Sequence, residues 1–430
     1  MIGWEYSATR DGANLHRIIL TPISGETATK FRPFSSIDSA NPEDLWQWLE
    51  KTSNETGADF VSIPHNSNVS KGQMFSRFNT AGDAIDKDYA RKRSRWETVA
   101  EVTQIKGTSE THPILSPNDE FAAFEFFNHL LEMRADALLV PTVTEGDYVR
   151  GALKAGLELE AQIDVNPYKL GMIGATDSHT GLASAEVNNF TGKMAIDSIP
   201  ENKQRGLGRL SGWSMSASGL SGVWARDNTR EEIFAAFKRR EVYGTTGPRI
   251  AVRFFGGVGF TEQDLKARDI SAAGYAKGVP MGGDLFALTK APSFLVRAVK
   301  DPVGANLDRV QIVKGWLDKN GKAQEKVFDI VWSPGRKRIE GGKVPAVGDT
   351  VDRTLARNEN SIGAPELVAV WQDPNFDVSA SSFYYVRVLQ IPTARTSLYD
   401  ALALNEEHPA GYDPVIQERA YTSPIWYTPH

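Results

Sequence analysis

The 430-residue chain contains no cysteine, which excludes disulfide bonds and metal sites built on thiolates. It has no basic excess either, because 48 Lys and Arg stand against 54 Asp and Glu, so its charge favours neither nucleic acid nor an anionic membrane as a partner. No apolar run reaches the ~18 to 20 residues needed to cross a bilayer. The N-terminus lacks the features of a signal peptide. The compartment stays open: cytoplasmic, or periplasmic if upstream sequence is missing.

What the chain does contain is typical of a globular protein. Hydrophobic residues make up 41% and charged residues 24% of the sequence. At roughly 150 residues per domain, the length predicts two or three domains. The segment Met1-Ile2-Gly3-Trp4-Glu5 already has the character of the end of a buried strand, whereas domains usually begin with a few expendable residues. We therefore expect missing upstream sequence.

The first ~250 residues alternate helical patterns with short apolar strands. Asn41-Pro42 predicts a helix start and Gly57 its end. Further helices are predicted near 83–96, at 148–161 and from 229 onward, and apolar strands at 59–63, 99–105 and 170–175. This alternation predicts a parallel sheet or barrel. In such barrels the chemistry lies at the carboxyl ends of the strands.

The residue pattern of the sequence changes after Gly247-Pro248. Short strand-like runs follow one another, separated by Gly, Pro, Asn and Asp, and helical periodicity is scarce. This pattern predicts an antiparallel β domain with the character of a sandwich. We therefore divide the chain into an incomplete metal-binding domain at 1–249 and a β domain at 250–430.

Three segments carry candidate metal ligands. In Asp177-Ser178-His179, side chains two residues apart in a strand point to the same side, so a carboxylate and an imidazole converge. The alternative is a strand-end Asp that caps a turn. His65, just past an apolar strand, is either a ligand or a structural histidine. Glu5 would bridge two metals, or form a salt bridge or a cap, and His16 follows it in the chain.

Other candidates are less specific. His112 precedes a proline that favours extended backbone, which suits a ligand or a plain loop. His129 is interpreted as a packed helix histidine. Arg17 and Lys106 lie near strand ends, where a cation would hold an anionic substrate group or would simply be solvated.

Several blocks of the sequence together resemble one known family, domain of unknown function family 3604, which is similar to the PHP (polymerase and histidinol phosphatase) superfamily. The blocks are Ile2-Gly3-Trp4-Glu5-Tyr6, Gly12-Ala13-Asn14-Leu15-His16-Arg17, Ile63-Pro64-His65-Asn66-Ser67-Asn68, Gln104-Ile105-Lys106-Gly107 through Glu110-Thr111-His112-Pro113, Ser116-Pro117-Asn118-Asp119-Glu120-Phe121, Asn166-Pro167-Tyr168-Lys169 through Thr176-Asp177-Ser178-His179, and Tyr243-Gly244-Thr245-Thr246-Gly247-Pro248-Arg249-Ile250. The resemblance covers essentially the whole chain.

The resemblance implies a distorted seven-stranded β/α barrel with a two- or three-metal centre of zinc, manganese or iron. Members of the superfamily typically hydrolyse phosphoesters. On the matching positions, Glu5 would bridge metals, His65 would be a ligand, and Asp177 and His179 would close the site. His16 would be a ligand or support one, and His112 is a weaker transfer.

The chain departs from the superfamily pattern in one respect. That pattern opens with a His-x-His strand and a later strand ending in Asp-His, both upstream of Glu5, and this chain has neither. We expect either a metal-dependent hydrolase, acting with a metal-activated water on a small anionic phosphate or related ester, or a non-catalytic relative or fragment with an incomplete cluster. The sequence also leaves a homo-oligomer open.

Overall fold

The computed structural model describes residues 1–127, 143–181, 186–190, 192–205, 212–216 and 218–429. Its strands before residue 250 are β1 (Ile2–Tyr6), β2 (Thr9–Arg10), β3 (Ala13–Asn14), β4 (Arg17–Thr21), β5 (Val61–Pro64), β6 (Val99–Gln104), β7 (Gly107–Thr108), β8 (Gly171–Gly174), β9 (Leu220–Val223) and β10 (Val242–Thr245). The α-helices are α1 (Gly25–Ala28), α2 (Pro42–Thr56), α3 (Lys87–Trp96), α4 (Val149–Ile163), α5 (Pro200–Arg205), α6 (Arg230–Lys238), α7 (Glu262–Leu265), α8 (Ile270–Lys277) and α9 (Thr396–Leu404).

The later strands are β11 (Ala251–Gly257), β12 (Gly278–Pro280), β13 (Asp284–Phe286), β14 (Ser293–Val299), β15 (Leu307–Leu317), β16 (Ala323–Trp332), β17 (Val351–Asp352), β18 (Arg357–Asn358), β19 (Glu366–Gln372), β20 (Ser382–Gln390), β21 (Thr393–Ala394), β22 (Val415–Ile416), β23 (Arg419–Thr422) and β24 (Ile425–Thr428). Short 3₁₀ turns occupy Ser67–Val69, Glu145–Asp147, Val187–Asn189, Ala195–Ser198, Gly212–Ser214 and Glu340–Gly342.

Local sequence explains where the helices begin and end. Helix α2 starts at Pro42 and stops before Gly57, whose φ of 73° is the left-handed conformation that glycine adopts without steric cost. The Asp86 side chain accepts a hydrogen bond from the Tyr89 N–H at the start of α3. The Thr229 side chain accepts one from the Glu232 N–H at the start of α6. No α-helix in the described ranges has both the length and the apolar character of a membrane span.

The predicted PHP-like barrel is wrong. Among the residues that the structure describes, the strands close no barrel and most pairs are antiparallel. Strand β4 lies between β1 and β5 and is antiparallel to both, while β6 pairs in parallel with β8. Alternating helices and apolar strands show which segments are strands but not which strands pair. A parallel barrel needs parallel neighbours, but β4 lies between β1 and β5 and is antiparallel to both.

Strands β5, β6 and β8 nevertheless pack around one small core. That core contains Val61 and Ile63 of β5, Val99 of β6, Ile173 of β8, Phe234, Ala236 and Phe237 of α6, and Val242 of β10. Strand β10 approaches β8 closely because Gly244 has no side chain, and a Cβ there would lie 2.7 Å from the Gly174 nitrogen. The loops that follow β5, β6 and β8 therefore begin in one region.

After residue 250 the described chain forms two larger sheets that share a core, in addition to the two-stranded pairs β17-β18 and β21-β22. One sheet has the order β12-β11-β14-β19. The other contains β13-β24-β20-β23-β10-β9, and β15 pairs with β20 on one side and with β16 on the other. Phe254 and Phe294 of the first sheet pack in one cluster with Ile312 and Tyr384 of the second. Strands β9 and β10 belong to this second sheet, so the sheet contains strands from both sides of position 249/250. The division into two domains at that position stays a prediction.

Candidate functional site

Three side chains that could donate to a metal converge at the N-terminal sheet. His16 Nδ1 lies 2.7 Å from Glu5 Oε1, and His65 Nε2 lies 3.2 Å from the same oxygen. One ligand atom from each residue falls within 4.8 Å of the other two. The imidazole rings of His16 and His65 meet edge to face with centroids 5.6 Å apart. Two imidazoles and one carboxylate therefore surround one point.

The strand register brings these side chains together. Glu5 on β1 faces Ile18 of β4, and His16 immediately precedes β4. His65 follows β5, and its N–H donates to the His16 carbonyl at 3.3 Å. The Asn14 amide donates to the His65 carbonyl at 2.9 Å. Because backbone hydrogen bonds fix both histidines, the group is preorganised.

The electrostatics of the group favour metal-binding protonation states. Hydrogen bonds from His16 and His65 hold the pKa of Glu5 well below its ordinary value. Burial lowers the pKa of His65, although Glu5 and Asp177 favour the charged ring. His65 is only 3% exposed, so desolvation prevails. An ionised carboxylate beside a neutral imidazole is the form in which both residues bind metal.

Asp177 forms a second cluster beside the first. It lies past β8, in the left-handed conformation at φ 51°, and its Oδ2 accepts from both the Lys106 and the Lys193 ammonium group. Burial opposes ionisation of Asp177, but the two lysines outweigh it and lower the pKa to about 2. Burial lowers the pKa of Lys106 to about 8, against the attraction of Asp177. Two cations thus share one carboxylate, which leaves one positive charge in surplus.

Glu101 lies near this cluster, inside strand β6. It is 4% exposed, and burial, with the nearby Asp177 charge, raises the pKa of its carboxyl well above the ordinary value. The buried polar atoms without a hydrogen-bond partner in the described ranges include His65 Nδ1, Asn66 Oδ1, Ser67 Oγ, Glu101 Oε1, Gln104 Nε2 and Ser218 Oγ. Buried polar groups are normally hydrogen-bonded, so these atoms are candidates to bind a polar ligand.

The other predicted residues lie elsewhere. His179 is exposed, and its Nδ1 lies 2.9 Å from the Asp177 carbonyl oxygen rather than at the Glu5 group. His112 accepts from the Ile114 N–H at 3.2 Å and packs against Phe126. Arg17 pairs with buried Glu97. His129 lies outside the described residues.

Two residues of the site were missed by the sequence analysis. Glu101 carried a weak signal, because it is a charged residue inside an otherwise fully buried strand. Lys193 carried no signal in the sequence. It lies sixteen residues beyond Asp177 and outside any regular element, so only the tertiary structure brings it to the carboxylate.

The donor set of Glu5, His16 and His65 fits a divalent metal. Two histidines and one carboxylate hold catalytic zinc in some hydrolases and iron in some oxygenases. His65 turns its Nε2 toward Glu5 Oε1, so this nitrogen is the one that would bind the cation.

Comparison with known proteins gives a family without an activity. The model of the family described as "Protein of unknown function (DUF3604)" matches residues 1–429. No curated protein and no solved structure matches the chain.

Proposed function

The chain belongs to the DUF3604 family, and we propose that it is a metal-dependent hydrolase of small anionic esters, of the phosphate ester type. One observation carries the proposal. A Glu-His-His donor set lies beside a buried cluster with two lysines and one carboxylate, so a cation site adjoins an anion site.

The first cluster supplies the cation site. Glu5, His16 and His65 would hold a zinc, manganese or iron ion and leave coordination positions for water and substrate. When bound, such a cation lowers the pKa of a bound water to about 7, which makes a nucleophile at neutral pH. Glu5 keeps its negative charge because both histidines hydrogen-bond to it.

The second cluster supplies the anion site. Lys106 and Lys193 have side chains that are 5% and 19% exposed, so their charges act in a partly desolvated environment. Asp177 compensates only one of them. An ester anion that accepts from both ammonium groups would neutralise the surplus charge, and the lysines would stabilise negative charge that develops during hydrolysis.

One observation favours the alternative, a relative that binds ligand without catalysis. Asp177 is occupied by lysines and His179 is exposed, so neither joins the Glu5 group. A single three-residue site would then bind one cation without forming a multi-metal centre.

Metal binding tests the first step. We expect purified protein to bind about one equivalent of Zn²⁺ or Mn²⁺ by elemental analysis and calorimetric titration. His65→Gln should abolish this binding, because it removes a buried donor. His112→Gln is the matched control, since that histidine packs in a loop away from the group. Equal loss in both variants would contradict the assignment.

Activity tests the second step. We expect metal-dependent turnover of p-nitrophenyl phosphate or bis-p-nitrophenyl phosphate, lost in His65→Gln. Lys193→Gln should raise KM with little change in metal content. Stoichiometric metal without turnover of either ester, at several pH values, would favour the binding protein over the hydrolase.

A further inference from the structure

A second site lies on the other face of the N-terminal sheet. A cavity of about 380 Å³ opens between the first strands and helices α2 and α3. Its wall includes Arg10, Arg17, Glu43, Thr80, Tyr89 and Arg93. Arg17 faces Tyr6 in the strand register, next to the pair formed by Glu5 and Ile18. Because successive strand residues point to opposite faces, Tyr6 and Arg17 lie on the face away from the Glu5 carboxylate.

The buried triad of Arg17, Glu97 and Arg93, whose arginines line this cavity, has more positive than negative charge. Glu97 accepts from Arg17 Nε at 2.9 Å and pairs with Arg93 Nη2 at 2.8 Å, and all three side chains are at most 2% exposed. The neutral Trp46 indole is the second hydrogen-bond donor to Glu97 Oε1, and Arg93 meets Oε2 as an ion pair only. Two guanidinium groups that cannot lose their protons therefore share one carboxylate. A buried surplus charge is costly unless an opposite charge compensates it.

Arg93 also keeps an unused hydrogen-bond donor. Its Nε is buried and has no partner in the part of the chain that the structure describes. The guanidinium cannot turn easily, because it stacks over the rings of Trp46, Phe75 and Tyr168 at 5.5, 5.6 and 4.7 Å. A planar guanidinium fixed by aromatic rings is preorganised to recognise an oxyanion.

The rim carries one further cation, Arg10, and two carboxylates, Glu43 and Asp11. Arg10, with a side chain 34% exposed, donates to the Thr80 carbonyl at 2.7 Å. Both oxygens of Glu43 accept from Thr80, one from its N–H at 2.8 Å and one from its hydroxyl at 3.0 Å. Asp11 pairs with Arg10 Nε at 3.9 Å, but its side chain is 83% exposed, so water screens its charge.

From this arrangement we propose that the cavity binds a small molecule through one carboxylate or phosphate group. The anion would offset the surplus charge of the Arg17–Glu97–Arg93 triad, with Arg10 contacting it from the rim. The volume falls in the range of small-molecule sites. This site is independent of the proposed hydrolase site, because its residues are different and lie on the opposite face of the sheet.

Thermal unfolding of the full chain tests the proposal, with inorganic phosphate and acetate as separate probes. At constant ionic strength in chloride, we expect one of them to raise Tm saturably, because a ligand that binds only the folded state stabilises it. The probe that acts identifies the anion class. No saturable rise with either probe up to tens of millimolar would overturn the proposal.

Variants assign the effect to this cavity. Arg10→Gln should weaken the effective probe about tenfold, since a hydrogen bond to a charged group is lost. Arg32→Gln, whose side chain is 73% exposed and pairs with Asp38, is the matched surface control. In Lys193→Gln, which weakens phosphate binding at the Asp177 cluster, a saturable Tm rise should remain and should still depend on Arg10. A rise lost in Lys193→Gln but kept in Arg10→Gln would place the anion at the Asp177 cluster and refute the proposal. Equal weakening by Arg32→Gln would show general screening and refute it as well.

Discussion

Replacing Asp177 by Asn should separate the ion-pair role of this residue from a role as metal ligand. The substitution keeps the side-chain shape but leaves the Lys106 and Lys193 ammonium groups close together without their shared carboxylate. Removing one partner of a buried ion pair costs about 3–5 kcal/mol. Because Lys193 is 19% exposed and water relieves part of its charge, we expect the lower end of this range, about 3 kcal/mol.

The same substitution should barely affect the cation site. Glu5, His16 and His65 stay in place, so we expect the affinity for Zn²⁺ to change by less than about tenfold. Glu5→Gln should do the reverse. It removes the charged donor and abolishes cation binding, but costs only about 1 kcal/mol of stability, because Glu5 is 31% exposed.

Urea unfolding of the metal-free variants and calorimetric Zn²⁺ titration measure the two effects separately. Asp38→Asn, at an exposed ion pair, serves as the control for loss of a carboxylate. The reasoning fails if Asp177→Asn loses cation binding as completely as Glu5→Gln while its unfolding free energy stays within about 1 kcal/mol of the wild type. Asp177 would then be a metal ligand.

Three further predictions concern buried contacts of the fold. Arg387→Leu should destabilise the protein by about 3–5 kcal/mol in urea, because Asp119, which Arg387 contacts at 2.6 Å, is buried; a loss below 1 kcal/mol would contradict this. Burial raises the pKa of Glu418 to about 8, so its neutral form stabilises the fold below an unfolded pKa near 4.3, and that contribution is lost as pH rises through 8. Glu418→Gln should therefore flatten the decline of Tm between pH 5 and 8, and an unchanged slope would refute it. Gly244→Ala should cost about 1–3 kcal/mol, since its Cβ would lie 2.7 Å from the Gly174 nitrogen; an unaltered unfolding midpoint would show that β8 and β10 can separate freely.

The candidate site was only partly readable from the sequence. Glu5, His16 and His65 stood out because each lies at or near a strand end, and in the structure their ligand atoms come within 4.8 Å. Asp177 and His179 also stood out. However, side chains two residues apart point to the same side only in extended backbone, and Asp177 adopts φ 51°. The left-handed turn sends the two side chains apart, so His179 is exposed.

Local sequence determined the regular elements of this chain. Asn41, Pro42 and Gly57 delimit α2, and the apolar run at Ser293–Val299 is strand β14, because caps, proline, glycine and β-branched residues act through their immediate neighbours. Only the tertiary structure decided how those elements pair. Arg17 meets Glu97 across eighty residues, and Lys106 meets Asp177 across seventy-one. Such contacts depend on the path of the whole chain, and helix–strand alternation gives the same pattern for a barrel and for separate sheets.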